Sequence, residues 1–208
     1  MGIPVLIMGE SGSGKSTSLR NFSPEEIGIF NVASKPLPFR TTGMKLINKA
    51  GYGDIINVLR HNTMHCYAID DSQYLMCFEL FAHAKDTGYG KFTDMALHFY
   101  SLLQSVINDT DDSTIVYFLH HVEVEDGFSR AKTVGKMLRE KLTVEGLFSI
   151  VLLCTTDEKG HHFITQSEGH STAKSPMGMF PALEIDNDLK MVDRTIREYY
   201  GLNTQEEK

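Results

Sequence analysis

The feature that most constrains this chain is a short apolar run, IPVLIM at residues 3–8, leading into Gly9-Glu10-Ser11-Gly12-Ser13-Gly14-Lys15-Ser16-Thr17. A nearly continuous apolar run of that length suits a strand buried on both faces of a parallel sheet. The segment after it fits G-x-x-x-x-G-K-[ST] at every fixed position, and a polar stretch that can start a helix follows at 15–22. Strand, glycine loop and helix in that order form a phosphate-binding loop. Glycines let backbone N–H groups curl around phosphate oxygens, and the helix turns its positive end toward the same anion. Lys15 would reach the β- and γ-phosphates, and the Ser16 hydroxyl would ligate Mg²⁺. The expected ligand is a nucleoside triphosphate, ATP with Mg²⁺, held by Gly9 to Thr17. The loop lacks G-x-G-x-x-G, so a dinucleotide is a poorer fit.

Further along, apolar runs alternate with helical patterns. Strands are expected at 27–32, 66–69, 114–119 and 147–154, with 161–166 pairing back on the last across the turn 157–160. Helices are expected at 54–60, 72–84, 93–107, 136–141 and 188–200. Residues 33–49, 86–92, 123–135 and 169–181 read as loops. The pattern gives an α/β fold with a mostly parallel sheet flanked by helices and a C-terminal hairpin. With no convincing linker, residues 1–200 form one domain and 201–208 a polar tail.

Composition narrows the class. Hydrophobic residues make up 41% and charged residues 23%, which supports a buried core and excludes bulk disorder. The net charge of −7 does not advertise nucleic-acid binding, although a local basic loop can still contact phosphates. Cys66, Cys77 and Cys154 lie in or beside apolar runs without a C-x-x-C, as expected of reduced thiols in a cytoplasmic protein. No basic n-region of a secretion signal is visible, and no apolar run approaches a membrane span.

The other candidate residues surround the expected carboxyl ends of the strands. The run CYAI ends in Asp70-Asp71. Asp70 is the candidate carboxylate for the water shell of Mg²⁺. Asp71 is either a base that polarises water or a helix N-cap. His120 and His121 end the 114–119 strand, and alternation lets only one of them face the site. Glu123 is a further candidate base. For DNA contact, Tyr89, Lys91 and Phe92 sit between glycines, and Arg130 and Lys132 stand in a basic stretch with Lys136, Arg139 and Lys141. A solvated surface explains these charges equally well.

Taken together, IPVLIMGESGSGKST, YAIDDSQYL, FLHHVE, VGKMLREKLTVEGLFSIVL and TAKSPMGMF resemble the RecA-like P-loop NTPase core. More narrowly, the chain looks like the compact phage-encoded RecA-like ATPases of single-strand annealing recombination, often described as phage AAA or ATP-binding proteins. The resemblance covers most of the chain. It implies an ATPase that binds single-stranded DNA along inner loops, here 86–92 and 127–135. It also implies self-association into rings or filaments in the host cytoplasm, with no membrane partner. In such assemblies a neighbour's basic residue completes the site, and His121 senses the γ-phosphate. Lys174 is the candidate for the neighbour's residue, against an ordinary surface lysine. There are two departures. RecA carries its catalytic Glu just after the second strand, where this chain reads Asn31-Val32-Ala33-Ser34-Lys35. The first strand begins at Ile3, so assembly is expected to use a contact other than RecA's N-terminal segment. The missing Glu keeps open a nucleotide-gated switch or helicase-loading adaptor with little turnover. A small-molecule kinase is a further alternative, but no arginine-rich lid is evident.

Overall fold

The computed structural model describes residues 1–61, 63–88, 90–135 and 137–202, apart from the side chains of 137, 139 and 141. Among the described residues nine strands form a mixed, mostly parallel sheet. Six run parallel in the order β3 (Lys45–Asn48), β2 (Gly28–Asn31), β4 (Cys66–Asp70), β5 (Ile115–Glu125), β1 (Ile3–Gly9) and β7 (Ile150–Asp157). Next, β8 (Gly160–Ile164) and β9 (Glu184–Asp186) add antiparallel strands beyond β7, and β6 (Phe128–Ala131) folds back on β5. β1 is thus flanked by β5 and β7, and β5 separates it from β4.

Side-chain alternation along the strands builds two cores. On one face Leu6, Met8, Phe30, Tyr67, Val116 and Phe118 pack with residues of α1 (Tyr52–His61), α2 (Gln73–Ala82) and α3 (Gly90–Asp109). On the other, Val5, Ile7, Ile29, Ala68, Tyr117 and Leu152 pack with Leu19, Phe22 and α4 (Leu189–Tyr200). Near-continuous apolar runs are what two covered faces require. The side chain of Asp188 caps α4 by accepting from Lys190 N (3.0 Å) and Met191 N (3.3 Å). Gly201, at φ 62°, closes the other end of α4. No helix among the described residues is long and apolar enough to cross a membrane.

Several expected segments differ. The helix expected at 15–22 is a six-residue 3₁₀ segment, Ser16–Asn21. Ser18 Oγ donates to Lys15 O at 2.6 Å, and this local hydroxyl bond competes with α-helical bonding. The segment 33–49 contains β3, which the sequence hides because an exposed edge strand needs no apolar run. The loop expected at 123–135 is largely a hairpin. Glu125 pairs with Phe128 across Asp126-Gly127, whose φ values of 52° and 77° suit a tight two-residue turn. Residues 86–92 run into α3, which already starts at Gly90 and carries Lys91 and Phe92 on its first turn. The expected helix at 136–141 is a single π-helical turn, Met137–Leu142. Tyr89, Lys136 and the tail at 203–208 lie outside the described residues, as do the side chains of Arg139 and Lys141.

Candidate functional site

The carboxyl ends of β1, β4 and β5 meet at a cleft of about 240 Å³, lined by Ser11, Gly12 and Gly14 to Thr17 of the glycine loop. Lys35 to Pro38 and the side chains of Asp70, Asp71 and His121 close its other wall. The volume suits a phosphate chain rather than a whole nucleotide, since drug-sized ligands fill roughly 300–1,000 Å³. Gly12 and Gly14 adopt φ of 83° and 100°, backbone that a side chain would strain. At Gly14 a Cβ would also come within 2.6 Å of the His161 ring, so β8 presses on the loop from behind.

Lys15 is buried and folds back along its own loop, donating to Gly9 O (2.8 Å) and Glu10 O (2.7 Å). Burial lowers its pKa, while Cys154, Asp71 and Asp70 work the other way. Ser16 Oγ donates to Asp70 Oδ1 at 2.7 Å, joining residues 54 positions apart. Burial raises the pKa of Asp70, and the Ser16 bond opposes that rise. A hydroxyl and a carboxylate side by side form a hard oxygen pair, which fits Mg²⁺ held by one or two protein groups plus phosphates and water. Among the described residues no group of three or more His, Cys, Asp or Glu could hold a metal ion alone.

Asp71 has left-handed backbone, φ 59°, and lines the cleft. One carboxylate oxygen accepts from His121 Nε2 at 3.1 Å, and the other meets Lys35 Nζ at 2.6 Å. The carboxylate therefore orders a cation and an imidazole rather than capping α2. Burial would raise its pKa, but His121 and Lys35 together hold it below the usual value. Lowered basicity makes it a weaker proton acceptor. The Lys35 ammonium also lies 5.5 Å from the Tyr74 ring centroid, and the same ring meets His121 edge-on at 5.4 Å.

Alternation separates the two histidines. His121 faces the cleft, whereas His120 is fully buried. A carbonyl only accepts, so His120 Nε2 donates to Lys132 O (2.8 Å), while Nδ1 lies 2.9 Å from Ser72 Oγ, whose hydroxyl donates to Leu119 O (3.1 Å). Burial lowers the pKa of the ring to about 4, which keeps it neutral above that pH. An unfolded histidine takes up its proton near 6.5, so between these values the unfolded chain binds more protons. Stability is expected to fall as pH drops through this window, by about 2 kcal/mol at pH 5. Urea unfolding at pH 7.5 and pH 5 measures the loss, and His120→Gln should shrink it.

The remaining expected residues are placed as follows. Glu123 lies on β5 opposite Arg130 and outside the lining of the cleft. Arg130 pairs with Glu125 at 3.3 Å and stands 4.0 Å from Glu123. Lys132 is exposed, and its backbone N–H donates to His121 O at 2.9 Å. Lys91 Nζ donates to Asp86 O (2.9 Å) and His83 O (3.3 Å). Phe92 sits so close to Gly135 that a Cβ there would lie 3.2 Å from its ring, so the two expected DNA segments touch. Lys174 is held by backbone bonds to Val151, beside β7 and outside the cleft lining.

No protein-family model matches the chain, and no curated protein matches it.

The sequence assigned no place in the site to Lys35 or Asn187, offered His161 only as a disfavoured metal ligand, and read Cys154 only as a reduced core thiol. Lys35 had a weak signal as a cation just beyond the second strand. Cys154 had none: its buried thiol donates to Ser13 O at 3.0 Å and accepts from Asn187 Nδ2 at 3.2 Å. Burial pushes the thiol up to about 11, which leaves it an inert support for the loop.

Proposed function

We propose that this chain is a RecA-like P-loop ATPase that binds ATP with Mg²⁺ and engages single-stranded DNA. The observation that carries the reading is the 2.7 Å contact of Ser16 with Asp70 at the mouth of the glycine loop. Two distant segments bring a hydroxyl and a carboxylate to the point where Mg²⁺ would meet a triphosphate. The order β4-β5-β1 adds support, because it sets His121 between Asp70's strand and the loop. In this reading Mg²⁺ neutralises developing charge on the phosphates, and Ser16 and Asp70 would hold it. Glycine-loop N–H groups and Lys15 bind the phosphates. Lys35 and His121, ordered by Asp71, meet the terminal phosphoryl group.

Coupling to DNA would run through the β5–β6 hairpin. His121 O accepts from Lys132 N, and Lys132 O accepts from His120, so movement at the cleft shifts the backbone beside Arg130. Self-association, with Lys174 offered to a neighbour's cleft, belongs to the same proposal. Turnover is slow, because Asp71 is a weakened base and Asn31 opens the acid-free segment 31–35 that stands where RecA has its Glu. The same two residues favour a nucleotide-gated switch as the second reading.

The test is ATP hydrolysis by wild type and Asp70→Asn, with and without single-stranded DNA. Wild type should be stimulated by DNA. Asp70→Asn should retain nucleotide but lose Mg²⁺-dependent turnover about a hundredfold or more. Tight ATP binding with negligible turnover under every condition selects the switch. Wild-type turnover in Asp70→Asn would remove the proposed metal role.

A further inference from the structure

Beside the phosphate cleft, across the turn that carries Ser34 and Lys35, lies a larger cavity of about 560 Å³. It opens where β2 and β3 end, and ligands of open α/β sheets bind beyond the carboxyl ends of strands. Val32, Ala50, Leu75 and Phe78 give it mainly apolar walls. Two buried polar atoms on residues of this lining, Tyr52 Oη and Glu79 Oε2, have no hydrogen-bond partner among the described residues. The other Glu79 oxygen accepts from His98 Nδ1 at 2.5 Å, which fixes the carboxylate's orientation. Burial, with Glu79 nearby, raises the Tyr52 pKa, so the phenol keeps its proton and remains a donor. Leaving such groups unpaired costs about 1–3 kcal/mol each, which folding alone does not recover. The rim adds strain: Ser34 and Lys49 both adopt left-handed backbone, φ 55° and 56°. Non-glycine residues in that region concentrate at ligand sites.

We propose that this cavity binds a nucleobase, whose amino group donates to Glu79 while a ring nitrogen or carbonyl accepts from Tyr52. The ligand class follows from the groups present. An apolar slot beside Phe78 takes a flat ring, and one free donor with one free acceptor matches the edge of a base. An alkylammonium ion would leave Tyr52 unpaired, and a carboxylate would meet Glu79 with like charge. The cavity excludes none of the places a base could come from, a free nucleoside or a single strand. Only the strand as source rests on the proposed function.

The test is calorimetric titration of wild type, Glu79→Gln and Tyr52→Phe with deoxycytidine, with N3-methylthymidine and with a short oligodeoxycytidine. N3-methylthymidine has no N–H donor on its pairing edge, whereas deoxycytidine has its exocyclic amine, so wild type should prefer deoxycytidine about tenfold, the value of one good hydrogen bond. Glu79→Gln should erase the preference, and Tyr52→Phe should weaken both ligands by a similar factor. Displacement of deoxycytidine by its oligonucleotide identifies the strand as source, and no displacement identifies the free nucleoside. Lys15→Met should leave deoxycytidine binding unchanged while removing ATP binding, so the failure of either site is seen separately. Absence of binding by every probe, or a preference that survives both substitutions, overturns the proposal.

Discussion

Lys15→Met is expected to abolish productive ATP binding and lower any ATP hydrolysis about a hundredfold or more. Lys15 is 6% exposed, and its ammonium is held by Gly9 O and Glu10 O at 2.8 and 2.7 Å. Phosphate oxygens reaching the loop would exchange for these carbonyls without a long movement of the side chain. Charge-assisted bonds made in such a site are about twice as strong as neutral ones. Methionine keeps the apolar stem and removes only the charge and its donors. Folding stability should therefore change by about 1 kcal/mol. Phosphate release and calorimetric ATP binding give the functional readout, and thermal unfolding gives the control. Normal turnover in a folded Lys15→Met would refute the phosphate-loop assignment.

The second large effect lies at the opposite end of the sheet. Arg197→Ala is expected to destabilise the fold by about 3–5 kcal/mol, the usual result of stripping one partner from a buried ion pair. Arg197 Nε donates to Asp193 Oδ2 at 2.6 Å, and its two other nitrogens donate to Ser113 O and His65 O, both at 2.8 Å. Asp193 Oδ1 accepts in turn from Tyr117 Oη at 2.9 Å. Both charged residues are buried. They pin α4 to the amino ends of β4 and β5, so truncation leaves a buried carboxylate and two carbonyls without their donor. For a domain of this size the melting temperature should fall by about 10 °C. The double variant Arg197→Leu with Asp193→Leu should recover much of the loss, since apolar pairs often replace buried ion pairs at little cost. Nucleotide binding by Arg197→Ala at low temperature should be normal, because the cleft lies at the carboxyl ends of the strands. A drop below about 1 kcal/mol would show that the network contributes little.

Which parts of this architecture the sequence announces depends on how local the signal is. The strand, glycine loop and Lys15-Ser16 are written in consecutive residues, because curling backbone around phosphate needs glycines in one short stretch. Five of the six parallel strands, β1, β2, β4, β5 and β7, also announce themselves, since burial on both faces demands apolar runs. The edge strand β3 leaves no such trace, because its exposed side chains need not be apolar. The β5–β6 hairpin has a local signal too, Asp126-Gly127 between flanking strand residues, although the polar composition of 123–135 is that of a loop.

Consecutive residues alone specify an α/β chain with a glycine loop, an acidic strand end at Asp70-Asp71 and a histidine pair that strand alternation splits. The folded chain is needed to see that Lys35 reaches Asp71, that His121 and not His120 lines the cleft, and that His161 and Cys154 support the loop. It alone joined Tyr52 to Glu79 in one cavity. The reason is sequence distance. Asp71 lies 50 positions from His121, and Ser13 lies 141 from Cys154. Residue type and spacing carry no record of contacts that arise only when strands far apart in sequence become neighbours in a sheet.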